Sequence, residues 1–351
     1  MSKLIAFHLP QFHVVEENDR WWGKGFTEWS HLDKWTPVFE GHQVRRPHAD
    51  IGRYDLLETA ARAKQAELAK RYGVYGFCYY HYWFGGKQLL EKPLDRMLLD
   101  GQPDLPFCFS WANEPWTRRW DGHEREVLMA QTYGGVEEWD AHLDYLLPFF
   151  RHPNYIRVDG KPMFLVYRLG QVTQWRERFE RWRERLAKEG IPGLHLVMML
   201  GNFSDNITPI AEADAVVEFV PNYLASANFA QRFFAKPVLE NLANAAYQAT
   251  GATTFVDSRK AFKQLVSLPT VHPTQYRGMF SGWDNSPRVG KRATIYRGWT
   301  PELFAEHLRI QKQRGGEFVF VNAWNEWGEG AVLEPDDHLG YAALEAIAKS
   351  T

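Results

Sequence analysis

Eight short apolar runs, separated by longer segments of helical period, are the feature of this 351-residue chain that most limits its fold. The runs are Lys3–Phe7, Val74–Tyr80, Phe107–Trp111, Met163–Tyr167, Leu194–Leu200, Ala215–Val220, Gly278–Phe280 and Phe318–Ala323. They are rich in branched and aromatic residues and lack the polar alternation of a half-wetted strand, so each reads as a strand buried on both faces. Between them the period changes. In Val172–Lys188, Val172, Trp175, Phe179, Trp182 and Leu186 recur at three- and four-residue steps. Arg and Glu fill the opposite face, and Gly190 is placed to cap the end. Asp55–Tyr72, Glu137–Phe150 and Pro301–Arg314 obey the same rule, with Pro301 suited to a first helical turn, and Leu339–Lys349 closes the chain. Eight strands, seven crossovers and a closing helix predict an α/β fold, a single (β/α)8 TIM barrel over residues 1–351. It has a long first βα loop and a long insertion around the sixth and seventh strands, Pro221 to Tyr276, with an extra helix near Pro237–Ala249. A doubly wound sheet would need a glycine-rich phosphate loop after an early strand, and neither G-x-G-x-x-G nor G-x-x-x-x-G-K occurs.

Composition narrows the function. Lys plus Arg number 41 against 43 Asp plus Glu, a net charge of −2, which is not the footprint of a nucleic-acid binder. No apolar run approaches the roughly 18 residues of a membrane span. The opening Met1–Phe7 runs into His8 and Gln11 without the length or cleavage site of a signal peptide, and Cys78 and Cys108 are the only cysteines. A cytoplasmic protein without disulfides is the expectation. Aromatic residues make up 15% of the chain, including 15 Trp, more ring surface than a core requires.

In such a barrel the chemistry sits at the C-terminal ends of the strands. Polar and aromatic residues stand at the end of every run. The first leads into Gln11 and His13, then into a long loop with Glu28 and Trp29; the second into Tyr79, His81 and Trp83; the third into Asn113, Glu114, Trp116 and Arg118. The fourth ends in Tyr167, the fifth in Asn202, the sixth in Asn222 and Tyr223, and the seventh in Trp283 and Asp284. The eighth ends in Trp324-Asn325-Glu326-Trp327-Gly328-Glu329-Gly330. Sugar hydroxyls need donors and acceptors in fixed positions, and the C–H face of the ring packs on an aromatic plane, so this set predicts a glycan site. Glu326 and Glu329, three residues apart past a buried strand, can enter one cavity. Burial and mutual repulsion would leave one protonated and one ionised, the arrangement that cleaves glycosidic bonds. Spacing does not say which is which. The 13 His show no paired spacing on a helix, so no metal and no cofactor are expected.

The stretches His8–His13, Trp21–Trp29, Tyr79–Trp83, Trp111–Trp116 and Asn325–Gly330 resemble the WbsX family. That family is described as glycoside hydrolase family 99-like and is associated with lipopolysaccharide O-antigen clusters. Family 99 enzymes are (β/α)8 retaining endo-mannosidases and mannanases. The resemblance implies that Glu326 deprotonates the sugar 2-hydroxyl, whose oxygen attacks the anomeric carbon to give a 1,2-anhydro sugar. It implies that Glu329 is the general acid, which later activates water. Gly328 departs from the pattern, standing where family 99 proper carries a His.

Three functions are compatible with these residues. The first is a retaining glycoside hydrolase acting on a bacterial polysaccharide or O-antigen-type glycan. The second is a glycosyltransferase of O-antigen assembly, against which stands the lack of an Asp-x-Asp triplet or paired nucleotide-binding domains. The third is a non-catalytic carbohydrate-binding barrel, which would have lost the paired carboxylates. An oligo- or polysaccharide is the expected partner.

Overall fold

The computed structural model describes residues 2–118, 123–201, 208–224 and 252–350, with the backbone alone at 118 and 123–125. Eight strands close a barrel: β1 (Lys3–His8), β2 (Gly76–Phe84), β3 (Phe107–Trp111), β4 (Lys161–Val166), β5 (His195–Leu200), β6 (Ala215–Glu218), β7 (Gln275–Phe280) and β8 (Phe318–Asn322). Each pairs in parallel with the next, and β1 pairs with both β2 and β8. Parallel neighbours require crossovers, and helices supply them. These are α1 (Thr59–Tyr72), α2 (Lys92–Asp100), α3 (Val136–Arg151), α4 (Trp175–Lys188), α5 (Ser258–Leu265) and α6 (Pro301–Arg314), with α7 (Ala342–Lys349) after β8. The described residues between β5 and β6 hold no helix. The helix expected near Pro237–Ala249 and the site residue Asn202 lie outside the described residues.

Helix ends obey local chemistry. The Thr300 side chain accepts from the Leu303 N–H at 3.2 Å, and Pro301 opens α6 where no intrahelical donor is needed. In α4, Trp175, Phe179, Trp182 and Leu186 are the buried stripe, as their spacing predicts.

The rings divide into two layers. Inside the barrel, Phe7 packs against Tyr80, Phe219 and Phe320 with centroids 5.3–5.8 Å apart, plugging the centre beneath the strand ends. Outside it, Trp139, Phe164, Phe179 and Trp182 interlock between strands and helices. Much of the tryptophan surplus is therefore core, because wide rings fill the gap between barrel and helices at native density.

β2 is longer than its apolar run suggests. His81–Trp83, expected to come after the strand, lie within it, and successive side chains from Tyr79 to Trp83 therefore point to opposite faces.

Candidate active site

At the C-terminal ends of the strands lies a cavity of about 570 Å³. Of the residues singled out by sequence, Gln11, Glu114, Trp116, Tyr167, Asn222, Trp283, Glu326 and Glu329 border it. Trp116 enters from an antiparallel hairpin, Trp116–Arg118 with His123–Met129, that stands beside β3. The Arg118 side chain lies outside what is described.

Other expected contacts go elsewhere, for identifiable reasons. In β2 the inward parity belongs to Tyr80 and Tyr82, which border the cavity; Tyr79, His81 and Trp83 face away from it. His81 Nε2 meets His142 Nε2 of α3 at 2.8 Å, the Trp83 ring stacks on His142, and Tyr79 packs on His8. His13 Nδ1 turns back to the Pro10 carbonyl at 3.1 Å, and burial lowers the pKa of its ring to about 4. Trp29 packs edge-on against Phe12, and its indole N–H donates to the Tyr54 carbonyl at 2.9 Å. Asn113 bonds the Arg168 backbone through both its oxygen and its nitrogen. Asp284 takes His42 Nε2 at 2.7 Å and the Ser286 N–H at 2.9 Å. Tyr223 is buried and does not border the cavity.

The segment after β8 is split the same way. Asn325 accepts the Leu9 N–H at 2.8 Å and returns a bond to the Leu9 carbonyl, stapling this loop to the end of β1. The Trp324 and Trp327 indoles donate to Glu334, at 3.0 and 2.9 Å, beneath the site. Only the two glutamates of the motif reach the cavity.

Glu326 is 5% exposed, and its Oε1 accepts from the Tyr80 hydroxyl at 2.9 Å. Burial pushes its carboxyl well above the usual range. Glu329 raises it further, through charge and a hydrogen bond between the two side chains; Arg288 and Tyr80 oppose the rise. Arg288 had no sequence signal. It sits on the short helical segment Ser286–Val289 and borders the cavity. Its Nη1 donates to Glu329 Oε1 at 2.5 Å and stands 3.6 Å from Glu326 Oε2. Its Nη2 donates at 2.9 Å to Glu28, which is wholly buried behind it rather than facing the cavity as expected. Tyr80, Tyr82, Phe219 and Trp22 complete the aromatic wall, and the Gln11 amide nitrogen has no partner among the described residues. Two carboxyls beside one guanidinium, with ring planes and an unsatisfied amide donor around them, have the elements needed for acid–base work on a polyhydroxylated ring.

Known proteins share both the sequence and the barrel. The chain is 39% identical over 352 aligned residues to the WxcX proteins of two strains of Xanthomonas campestris pv. campestris, covering 98% of this chain and 49% of each relative. It therefore spans about half the length of the curated relatives it matches. Among solved structures it superposes on a protein titled glycoside hydrolase-like, with a TM-score of 0.60 at 12% identity, over 99% of this chain and 93% of that one. It also superposes on the family 99 endo-alpha-mannosidase of Bacteroides thetaiotaomicron in complex with bis-tris-propane, with a TM-score of 0.55 at 16% identity, over 99% and 94%. At such identities the likeness concerns the fold, a (β/α)8 barrel in both. No described helix is long and apolar enough to cross a membrane. The family model described as glycosyltransferase WbsX matches residues 4–347, and the chain belongs to that family.

Proposed function

We propose that the chain is a carbohydrate-active enzyme, a retaining glycoside hydrolase that cleaves a bacterial polysaccharide or O-antigen-type glycan, with residues 1–351 as its catalytic barrel. The observation that carries this is the Glu326–Glu329 pair, two carboxyls that flank one guanidinium nitrogen, Arg288 Nη1, at 3.6 and 2.5 Å in an aromatic-walled cavity. An inverting enzyme separates its carboxyls by about 6.5–9.5 Å to admit a water, whereas retaining enzymes hold theirs closer, at about 5–5.5 Å. The two oxygens that face Arg288 Nη1, at 3.6 and 2.5 Å from it, are about 6 Å apart at most, closer than the inverting separation requires.

Glu326 acts as the base that takes the proton of the sugar 2-hydroxyl. That oxygen attacks the anomeric carbon as the bond to the leaving oxygen breaks, and Glu329 delivers a proton to the leaving oxygen. Glu329, now ionised, then takes a proton from water, whose oxygen opens the 1,2-anhydro ring at the anomeric carbon. Glu326 returns its proton to the 2-oxygen, so stereochemistry is retained over two displacements. Tyr80 fixes Glu326 by its hydroxyl. Tyr82, Trp116 and Trp283 offer planes for C–H faces, and Gln11 and Asn222 offer donors and acceptors for hydroxyls.

The family's description as a glycosyltransferase supports a second reading, transfer from a nucleotide sugar. One experiment separates the two. Purified protein and its Glu329→Gln variant are incubated with O-antigen-type polysaccharide, with and without nucleotide sugars, while new reducing ends and released nucleotide are monitored. Reducing ends that need no nucleotide and vanish in the variant are expected. Nucleotide release coupled to chain growth would overturn the hydrolase reading and the roles given to both glutamates.

A further inference from the structure

Arg288 meets three carboxyls from two distant parts of the chain. Glu28 takes Nη2 at 2.9 Å, Glu329 takes Nη1 at 2.5 Å, and Glu326 lies 3.6 Å from Nη1. Glu28 is the anchor. It is wholly buried, and its Oε1 also accepts the Gly328 N–H at 2.7 Å. A Cβ at residue 328 would come within 2.6 Å of Glu28 Oε1 and 2.9 Å of Arg288 Nε, so the missing side chain is what lets guanidinium, carboxylate and backbone N–H converge.

One cation cannot neutralise three carboxylates in so closed a space. Glu329 has the direct contact and keeps about 20% of its side chain exposed; the Glu326 side chain is 6% exposed and farther from the cation. Burial pushes the Glu28 carboxyl up, while Arg288 and the Gly328 N–H hold it down. Of the two carboxyls at the cavity, the cation therefore favours charge on Glu329 over Glu326. The other groups around the guanidinium do not alter that balance. His31, behind Glu28, is kept neutral by burial and by Arg288 itself. Tyr80 and Tyr82 on β2 are neutral phenols, and Asp284 is turned to His42.

We propose that Arg288 is a positioning residue that holds the shared proton of the carboxyl pair on Glu326 while the cavity is empty. On the hydrolase reading, on which this next consequence rests, that is the reverse of the charge state used in the first step. Glu329 can then serve as acid only once an incoming glycan draws the guanidinium away from it. Substrate binding and arming of the acid become one event.

The test reads protonation directly and needs no turnover. The infrared band of protonated carboxyl is titrated in the empty protein, and the Glu326 signal is taken as the part removed by Glu326→Gln in each background. Wild type is expected to show this signal at neutral pH. Arg288→Gln removes the cation that favours charge on Glu329, so the band as a whole persists to higher pH but is divided: the Glu326 share falls and a share removed by Glu329→Gln appears. Glu28→Gln leaves the cation beside Glu329, so the band remains the Glu326 share alone. A merely structural role moves neither share. An undivided Glu326 band in Arg288→Gln, a Glu329 share already present in wild type, or no neutral-pH signal from Glu326 would each overturn the proposal. Glycan cleavage is assayed separately: no cleavage by wild type would count against the hydrolase reading and leave the titration standing. Where cleavage is found, both limbs of the pH–rate profile of Arg288→Gln move upward.

Discussion

Glu326 and Glu334 are two buried carboxyls eight residues apart on the same loop, and they are built oppositely. Glu334 is saturated. Gln65 and Trp324 donate to one oxygen, Tyr54 and Trp327 to the other, all at 2.8–3.0 Å. Burial pushes its carboxyl up to about 7 while these four donors hold it down. Glu326 has one hydroxyl donor, a second carboxyl and a guanidinium at longer reach, and its remaining surroundings are the cavity. Burial alone therefore does not mark a reactive carboxyl. What distinguishes the two is whether the protein has already used the acceptor positions, leaving nothing for a substrate.

That contrast breaks most sharply under conservative substitution at the site. Glu326→Gln and Glu329→Gln should each lower glycan turnover by at least the 10²–10⁴-fold typical of a lost general acid or base, about 3–5 kcal/mol of barrier. The thermal midpoint of Glu326→Gln should hold or rise, because a buried carboxyl pressed against another carboxyl is relieved. Turnover by either variant near the wild-type rate would end the assignment.

Glu334 should behave in the opposite sense. Glu334→Ala strands four donors in a dry pocket, at about 1–3 kcal/mol each before relaxation, so a loss of about 4 kcal/mol or more is expected in denaturant titration. An unchanged denaturation midpoint would show that the pocket is wet or adaptable. The accompanying pH effect has a definite sign. The folded pKa of Glu334 is raised from 4.5 to about 7, so its contribution is fully present below 4.5 and is lost as pH rises toward 7. The decline is about 3 kcal/mol over that window, and Glu334→Gln should lack it. Parallel stability–pH curves for the two proteins would refute the shift.

The barrel was legible because eight doubly buried strands and the helical stripes between them are dictated by period alone. The parity of β2 was harder to read. The run Cys78-Tyr79-Tyr80-His81-Tyr82-Trp83 is aromatic on both faces, since one lines the cavity and the other packs on α3, so hydrophobicity gives no phase. Extending the strand through Phe84 puts Tyr80 and Tyr82 on one face and Tyr79, His81 and Trp83 on the other, but leaves open which of the two faces is inward. Trp324, Asn325 and Trp327 share the motif of Glu326 because they build the support beneath it, and a contiguous motif mixes both roles. Arg288 carried no signal. It is contributed by a four-residue helix after β7, and its partner Glu28 lies 260 residues away.

Gly328 gives the smallest and most specific test. Its φ lies outside the left-handed region, so alanine meets no backbone strain; the obstacle is steric. An added methyl would sit 2.6 Å from Glu28 Oε1, and the wholly buried Glu28 has little room to retreat. The displacement is therefore passed to Arg288, whose contact with Glu329 shifts. Gly328→Ala should lower kcat roughly tenfold, about 1.4 kcal/mol, with little change in KM. If the effect runs through the guanidinium, it should largely disappear when Gly328→Ala is made in an Arg288→Gln background, because residues acting as one unit are not additive. An equal loss in both backgrounds would mean that the methyl acts on the substrate, and would separate the glycine from the Glu28–Arg288 anchor.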